Sequence, residues 1–171
     1  MNTIIQNQRK ERDELLARHY LMRKSNTDVK TLFDNPMIKL ITGPRRVGKS
    51  TYALLMLQGK SFAYLNFDDN LLLSAWDEEL VMRTLDEVYP NYEFLLLDEV
   101  QNLKDWDVWV SKLYRRGKNL VITGSNAKML SGEMATVLTG RYLQVEMLPF
   151  SLTETIEWKG ANINSISNAK Q

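Results

Sequence analysis

Short apolar segments alternate with longer amphipathic segments along the middle of the chain. The unbroken apolar run 94–97 is typical of a strand buried on both faces, whereas residues 77–88 carry apolar side chains at the 3.6-residue spacing of a helix. Strands that alternate with helices predict crossover units and a parallel sheet, so the fold class is α/β, with three layers. The predicted strands are 37–42, 62–67, 92–97, 120–123 and 142–148, and the predicted helices are 51–57, 77–88, 104–115 and 128–138, the last broken around Gly132.

A separate helix is predicted ahead of this pattern, over residues 8–24. Its partial apolar stripe ends in His19 and Tyr20, and we expect His19 to be a packed side chain. Its mixed charges favour a solvated helix face over the alternative, a patch that binds nucleic acid. The predicted organisation is a helical segment 1–35, a domain 36–158, and a tail or linker 159–171 towards a further C-terminal region.

Composition excludes several classes of protein. The 171 residues fit one domain, without cysteine and with a single histidine, so disulfide scaffolds, thiolate zinc sites and histidine-rich metal clusters are excluded. The 22 basic residues balance 21 acidic ones, which gives no overall electrostatic case for nucleic acid or an anionic membrane. No export signal or apolar span of roughly 20 residues is visible, so we expect no membrane association and a cytoplasmic location.

The segment 43–50 fits the pattern G-x-x-x-x-G-K-[ST] between a predicted strand and a predicted helix. Such a loop turns backbone N–H groups inward as an anion nest, and the following helix adds its positive end. Lys49 is expected to reach the β- and γ-phosphates, and the Ser50 hydroxyl to bind Mg²⁺. Arg45 and Arg46 in this loop could contact the phosphates or could equally be solvated side chains. The predicted nucleotide-binding residues are Gly43, Pro44, Arg45, Arg46, Val47, Gly48, Lys49, Ser50 and Thr51.

Two carboxylates, Asp98 and Glu99, follow the apolar run 94–97. In a phosphate-binding protein, an Asp at the end of such a strand holds Mg²⁺ together with the loop hydroxyl, here Ser50. Glu99 is longer and is expected to polarise a water for attack on the γ-phosphate. A glutamate here favours water over a small molecule as the phosphoryl acceptor.

Three further residues have two readings each. Ser125 or Asn126, at the end of the strand 120–123, could contact the γ-phosphate and the attacking water, or could cap the next helix. Arg141 could be a surface arginine, or could reach the γ-phosphate in its own chain or in a neighbouring subunit. Asp68 and Asp69 could face the nucleotide pocket, although we expect them to be solvated loop carboxylates. Trp106 and Trp109 could form a partner surface, although we expect them to pack in the core.

These strings resemble the prokaryotic AAA-domain proteins of the AAA+ superfamily over residues 37–153. The resemblance rests on GPRRVGKST, YLNFDD, LDEVQN, TGSN and LTGRYLQVEMLPFS, in that order. It implies a P-loop sheet of order 5-1-4-3-2, in which the TGSN strand lies between the strand before Gly43 and the strand before Asp98. It also implies Ser125 or Asn126 as the sensor residue and Arg141 as an arginine finger.

The function implied by the resemblance is Mg²⁺-dependent hydrolysis of ATP to drive a conformational change. The alternative is an ATP-bound switch with little turnover. Members of the family continue beyond the PFS turn into a helical lid and a further domain, so this chain is expected to be an N-terminal ATPase portion or a short version. The expected partners are ATP, a second copy that receives Arg141 in trans, and an effector that the sequence does not name.

Overall fold

Five parallel strands form a single sheet in the order β2-β3-β4-β1-β5. The computed structural model describes residues 1–20, 32–125, 138–151 and 154. The strands are β1 Ile38–Gly43, β2 Phe62–Asn66, β3 Phe94–Asp98, β4 Asn119–Ser125 and β5 Tyr142–Glu146. The helices are α1 Asn2–Leu16, α2 Lys49–Met56, α3 Asn70–Ser74, α4 Glu78–Val88 and α5 Trp106–Arg115, and a 3₁₀ turn covers Val100–Asn102.

The strand order confirms the sheet order that the family resemblance implies. β4 lies between β1 and β3, and all four strand pairs are parallel. In register, Gly43 lies beside Ser125, and Asn66 lies beside Asp98. The carboxyl ends of β1, β3 and β4 therefore meet at one edge of the sheet, which is where ligands bind in open α/β folds.

The core follows the hydrophobic pattern of the sequence. Every residue of β1 and β3 is buried, although successive side chains point to opposite faces, so both faces of the sheet are covered. Trp109 is buried and meets the rings of Phe67 and Trp76 edge-on, while the partly buried Trp106 packs against the core. The expectation that these tryptophans are core residues is confirmed.

Most predicted element boundaries are displaced by one or two residues. Helix α2 begins at Lys49 because Gly48, at φ 92°, ends the preceding loop and leaves the next residue free to start the helix. Strand β4 continues through the glycine and serine of TGSN because it pairs with β1 along that stretch. The predicted broken helix 128–138 lies outside the described residues except for Leu138.

The N-terminal helix differs most from the prediction. It spans Asn2–Leu16 rather than 8–24, its buried residues are Ile5 and Gln8, and His19 is exposed. The packed stripe was missed because one of its members is polar. The expectation of a packed His19 is wrong, since the helix ends before that residue.

Polar side chains attach α1 to the edge strand β2. The Gln8 amide donates to the Asn66 carbonyl at 3.1 Å and accepts from the Asn66 N–H at 2.9 Å. Arg12 donates to the Phe62 carbonyl and stacks on the rings of Phe62 and Tyr89. Unpaired strand groups are thereby satisfied by the helix. Arg12 is a packing residue, contrary to the prediction that the basic residues form a solvated face.

None of the helices in the described part of the chain combines the length and apolar character that a membrane span requires.

Candidate functional site

The loop between β1 and α2 is fixed at both ends by its glycines. Gly43 has φ 152°, and a Cβ there would collide with the Met147 carbonyl oxygen and press on the Val47 side chain. Gly48 has a left-handed φ of 92°. Val47 is buried and anchors the loop in the core, whereas Pro44, Arg45 and Arg46 are exposed around the rim.

The loop backbone has the conformation of an anion nest. Arg46, at φ 65°, and Gly48 are both left-handed, and such alternation turns successive N–H groups towards one centre. Lys49, Ser50 and Thr51 form the first turn of α2, so the helix presents its unpaired N–H groups at the loop.

Lys49 is buried at the mouth of this loop. Its side chain is 3% exposed, and its Nζ lies 3.2 Å from the Pro44 carbonyl oxygen and 3.3 Å from Glu99 Oε1. The lysine is therefore held across the loop with its charge against a carboxylate.

Asp98 ends β3 inside a buried hydrogen-bond network. The Thr123 hydroxyl donates to Asp98 Oδ1 at 2.5 Å, the Tyr64 hydroxyl donates to Oδ2 at 3.3 Å, and the Ser50 side chain also hydrogen-bonds the carboxylate. Burial raises the pKa of Asp98 to about 6, the hydrogen bonds oppose that rise, and the charge of Glu99 adds to it. Burial and the charge of Asp98 together raise the pKa of Tyr64, which keeps that hydroxyl a donor.

Glu99 leaves the strand in a left-handed conformation, at φ 52° and ψ 40°. This conformation is unfavourable for a residue with a Cβ and recurs at functional sites. The Glu99 N–H donates to Thr123 Oγ1 at 2.9 Å, and its carboxylate lies between Lys49 and Gln101 Nε2, the latter 2.5 Å from Oε2.

The remaining predicted residues are distributed unevenly. Ser125 ends β4 beside Gly43, at the edge that carries the loop. Asn126 lies outside the described residues. Arg141 lies just before β5, at the opposite end of the strands from the loop. There its carbonyl accepts from the Ile38 N–H, and its guanidinium donates to Ser111 Oγ at 3.1 Å.

The distance along β1 decides one reading of Arg141. The strand spans six residues, or roughly 16 Å at about 3.3 Å per residue, between Ile38 and Gly43. An arginine side chain is shorter than this, so Arg141 does not reach the loop of its own chain.

Asp68 and Asp69 have structural partners. Asp69 caps α3 by accepting from the Leu71 N–H and also accepts from Gln8, and Asp68 accepts from Asn102 Nδ2 at 2.7 Å. These contacts agree with the expectation that the two carboxylates have no direct part in the site.

Sequence reasoning missed three residues of the site: Tyr64, Thr123 and Gln101. Thr123 is two positions before Ser125 on the same strand, so the period-two alternation that brought Ser125 to the site could have found it. Gln101 is contained in the string LDEVQN, but its contact depends on the turn after Glu99. Tyr64 begins the string YLNFDD, but nothing in that string indicates its contact with Asp98.

The oxygen donors at this edge fit a hard divalent cation. Ser50 and Asp98 bring a hydroxyl and a carboxylate together, and Mg²⁺ is commonly held by one or two protein oxygens with phosphates and waters. Within the described ranges, no group of three or more His, Cys, Asp or Glu residues could hold a metal. Ser50 and Asp98 therefore suit a cation that is also coordinated by the phosphates of a bound ligand.

A protein-family model described as an AAA domain, AAA_14, matches residues 35–156. The chain belongs to this family. Its members' P-loop fold explains why the loop, Asp98 and Ser125 meet at one edge of the sheet, and the sheet order of this AAA domain is the one that the resemblance implied.

Two curated relatives share this AAA domain. The uncharacterized protein MJ1544 of Methanocaldococcus jannaschii is 38% identical over 143 residues, which cover 81% of this chain and 32% of the relative. An uncharacterized protein of Haemophilus influenzae is 34% identical over 144 residues, which cover 77% of this chain and 36% of the relative. The chain thus spans about a third of the length of the curated relatives that it matches.

Solved structures support the same fold. AMPPCP-bound DnaA from Aquifex aeolicus superposes with a TM-score of 0.51 at 20% identity, covering 82% of this chain and 52% of DnaA. Cdc6p from Pyrobaculum aerophilum superposes with a TM-score of 0.51 at 15% identity, covering 86% of this chain and 52% of Cdc6p. At these identities, the similarity establishes the AAA+ P-loop fold.

Proposed function

We propose that the AAA domain binds ATP with Mg²⁺ and hydrolyses it to ADP and phosphate in order to drive a conformational change. The observation that carries this proposal is the assembly of Lys49, Asp98 and Glu99 within one edge cluster, where Lys49 Nζ lies 3.3 Å from Glu99 Oε1.

The binding half of the proposal assigns the loop to the phosphates. The N–H groups of the loop and of the first turn of α2 donate to phosphate oxygens, and Lys49 neutralises the β- and γ-phosphates. Ser50 and Asp98 would hold the cation, which would supply neutralisation of the phosphate charge. The solved DnaA holds the nucleotide AMPPCP, which supports a nucleotide as the ligand here.

The hydrolytic half assigns the water to Glu99. The Glu99 carboxylate accepts a proton from the attacking water as its oxygen bonds to the γ-phosphorus, and the bond from that phosphorus to the bridging oxygen breaks. Lys49 has left Glu99 for the phosphates before this step, when ATP binds. Ser125 or Asn126 would contact the γ-phosphate and this water as the sensor.

The experiment is a measurement of phosphate release by the purified chain with ATP, in Mg²⁺ and in EDTA, alongside calorimetric ATP binding. The proposal expects binding and turnover in Mg²⁺ and loss of turnover in EDTA. Absence of ATP binding in Mg²⁺ would overturn it.

An ATP-bound switch with little turnover is the second candidate. This candidate requires the ion pair of Lys49 with Glu99 to persist when ATP is bound, because Glu99 cannot act as a base while it neutralises the lysine. Turnover of several ATP per second by the chain alone would exclude the switch. Tight binding without phosphate release would favour it.

Arg141 has a place in this proposal only in a neighbouring subunit. Arg141 lies beside Ile38, at the opposite end of the strands from the loop, and this position suits an arginine that completes the site of a second copy. Specific activity that rises with protein concentration and is lost in Arg141→Ala supports this role. Activity independent of concentration, and retained by Arg141→Ala, contradicts it.

A further inference from the structure

Gln101 makes a short and one-sided contact with Glu99. Its Nε2 donates to Glu99 Oε2 at 2.5 Å, whereas its Oε1 is buried and has no hydrogen-bond partner among the described residues. A buried acceptor without a partner costs stability, and such exceptions are uncommon in folded proteins. The Gln101 amide is therefore oriented so that Nε2 donates to Glu99, although this orientation leaves Oε1 without a partner.

The turn that carries Gln101 is itself fixed. Val100 is fully buried, the Asn102 N–H donates to the Glu99 carbonyl, and Asn102 Nδ2 contacts the Phe67 carbonyl and Asp68. Because both neighbours of Gln101 are anchored, its side chain starts from a defined position.

The two partners of Glu99 have different fates when phosphates enter the loop. Lys49 is the phosphate-binding lysine of the proposed site, so its contact with Oε1 is given up on binding. The Gln101 contact is to the other oxygen, Oε2, and comes from a turn that takes no part in phosphate binding. Gln101 is thus the group that can keep the carboxylate in place after Lys49 has left.

We propose that Gln101 is the positioning residue for Glu99. It holds the Glu99 carboxylate by Oε2 and leaves Oε1 for the attacking water once Lys49 turns to the phosphates. This assignment rests on the proposed function, because it gives Gln101 a role only through Glu99.

The first test replaces the amide by an apolar chain of similar length, Gln101→Met, with the exposed Gln58→Met as the matched control. We expect kcat for ATP to fall about tenfold, as for loss of one hydrogen bond to a charged group, with KM changed less than about twofold. The midpoint of thermal unfolding should stay the same or rise, because the orphaned acceptor is removed. A wild-type kcat in Gln101→Met overturns the proposal.

A double-mutant cycle separates positioning from a general structural role. In a Glu99→Gln background, Gln101→Met should change the residual rate little, because the group that it positions is already disabled. A fall of the same size in both backgrounds would show that Gln101 acts independently of Glu99 and would overturn the proposal.

A structural readout keeps this test independent of hydrolysis. Crystals of the wild-type chain with Mg²⁺ and a non-hydrolysable ATP analogue should show Lys49 on the phosphates and Gln101 Nε2 still within hydrogen-bond distance of Glu99. If Gln101 has left Glu99 in that complex, the positioning role is wrong even where ATP is hydrolysed. If the contact persists in a chain that binds ATP without turnover, only the hydrolytic part of the proposed function fails.

Discussion

Lys49 and Glu99 form an ion pair with 3.3 Å between Nζ and Oε1, in which the lysine is 3% exposed. The pair joins the residue assigned to the phosphates with the residue assigned to the water. Each is therefore neutralised by the other until a phosphate competes for the lysine. Under the proposed function, ATP binding would release Glu99 from the lysine, because the same lysine cannot serve both anions.

Removing the charge of Glu99 should tighten ATP binding. In Glu99→Gln, Lys49 no longer has to leave a carboxylate, and the phosphates no longer face a neighbouring negative charge. We expect the Kd for ATP to fall roughly fivefold, which corresponds to about 1 kcal/mol. Calorimetric titration with Mg²⁺ checks this, with the exposed Glu93→Gln as the control. Weaker binding in Glu99→Gln would contradict the competition.

The buried carboxylate of Asp98 should make the metal-free chain less stable as pH rises. Its pKa is raised from 3.8 to about 6, so the folded state binds the proton more tightly than the unfolded state does. The free energy of unfolding should therefore fall between about pH 4 and pH 6, by roughly 2–3 kcal/mol at about 1.4 kcal/mol per pH unit, and stay low above pH 6.

Asp98→Asn isolates this contribution, because the amide has nearly the same shape and no charge. In EDTA, urea unfolding at pH 7.5 should show the variant to be the more stable protein, with a difference that shrinks towards pH 4. A variant that is less stable than the wild type at pH 7.5 would show that the carboxylate is well compensated, contrary to the raised pKa.

Thr123 should matter for both stability and turnover. Its hydroxyl donates to Asp98 and accepts from the Glu99 N–H, and the Thr123 and Asp98 side chains are buried. Thr123→Val keeps the shape but leaves both partners unsatisfied, so we expect a loss of about 2–3 kcal/mol and a lower kcat. Thr123→Ser keeps the hydroxyl and should recover most of both in urea unfolding and phosphate-release assays. Equal behaviour of Val and Ser at this position would count against the network.

The attachment of α1 should depend on Gln8. This residue is 2% exposed and bonds to the backbone of Asn66 and to Asp69. Gln8→Leu leaves those groups unpaired, and we expect a loss of about 1–3 kcal/mol in the free energy of unfolding. Gln6→Leu, on the exposed side of the same helix, should change stability by less than about 0.5 kcal/mol. The attachment is not specific to Gln8 if the two variants unfold alike.

The phosphate loop and Asp98 could be predicted from the sequence because their chemistry lies in contiguous strings that follow apolar strands. The sheet order came from the resemblance, since alternation alone gives parallel strands but not their neighbours. Thr123 could have been found from its alternation with Ser125 on one strand. Tyr64 could not be predicted, because its contact with Asp98 exists only after β3 has paired with β2.

The packing of α1 was mispredicted for a different physical reason. A search for apolar positions cannot recognise Gln8 as a buried residue, because its burial depends on strand groups of Asn66 that lie 58 positions away. The left-handed backbone of Glu99 is likewise set by Thr123 and the turn after it, and not by the identity of the residue.

Phosphate release by the wild-type chain and by Glu99→Gln, at saturating ATP and Mg²⁺, tests whether Glu99 is the general base. A general base contributes about 100-fold or more to such a reaction, so we predict at least that loss of kcat in Glu99→Gln while ATP binding is retained. The control Glu93→Gln should keep the wild-type rate. Equal kcat values for wild type and Glu99→Gln would contradict the assignment of Glu99 and, with it, the account of this edge of the sheet as a hydrolytic site.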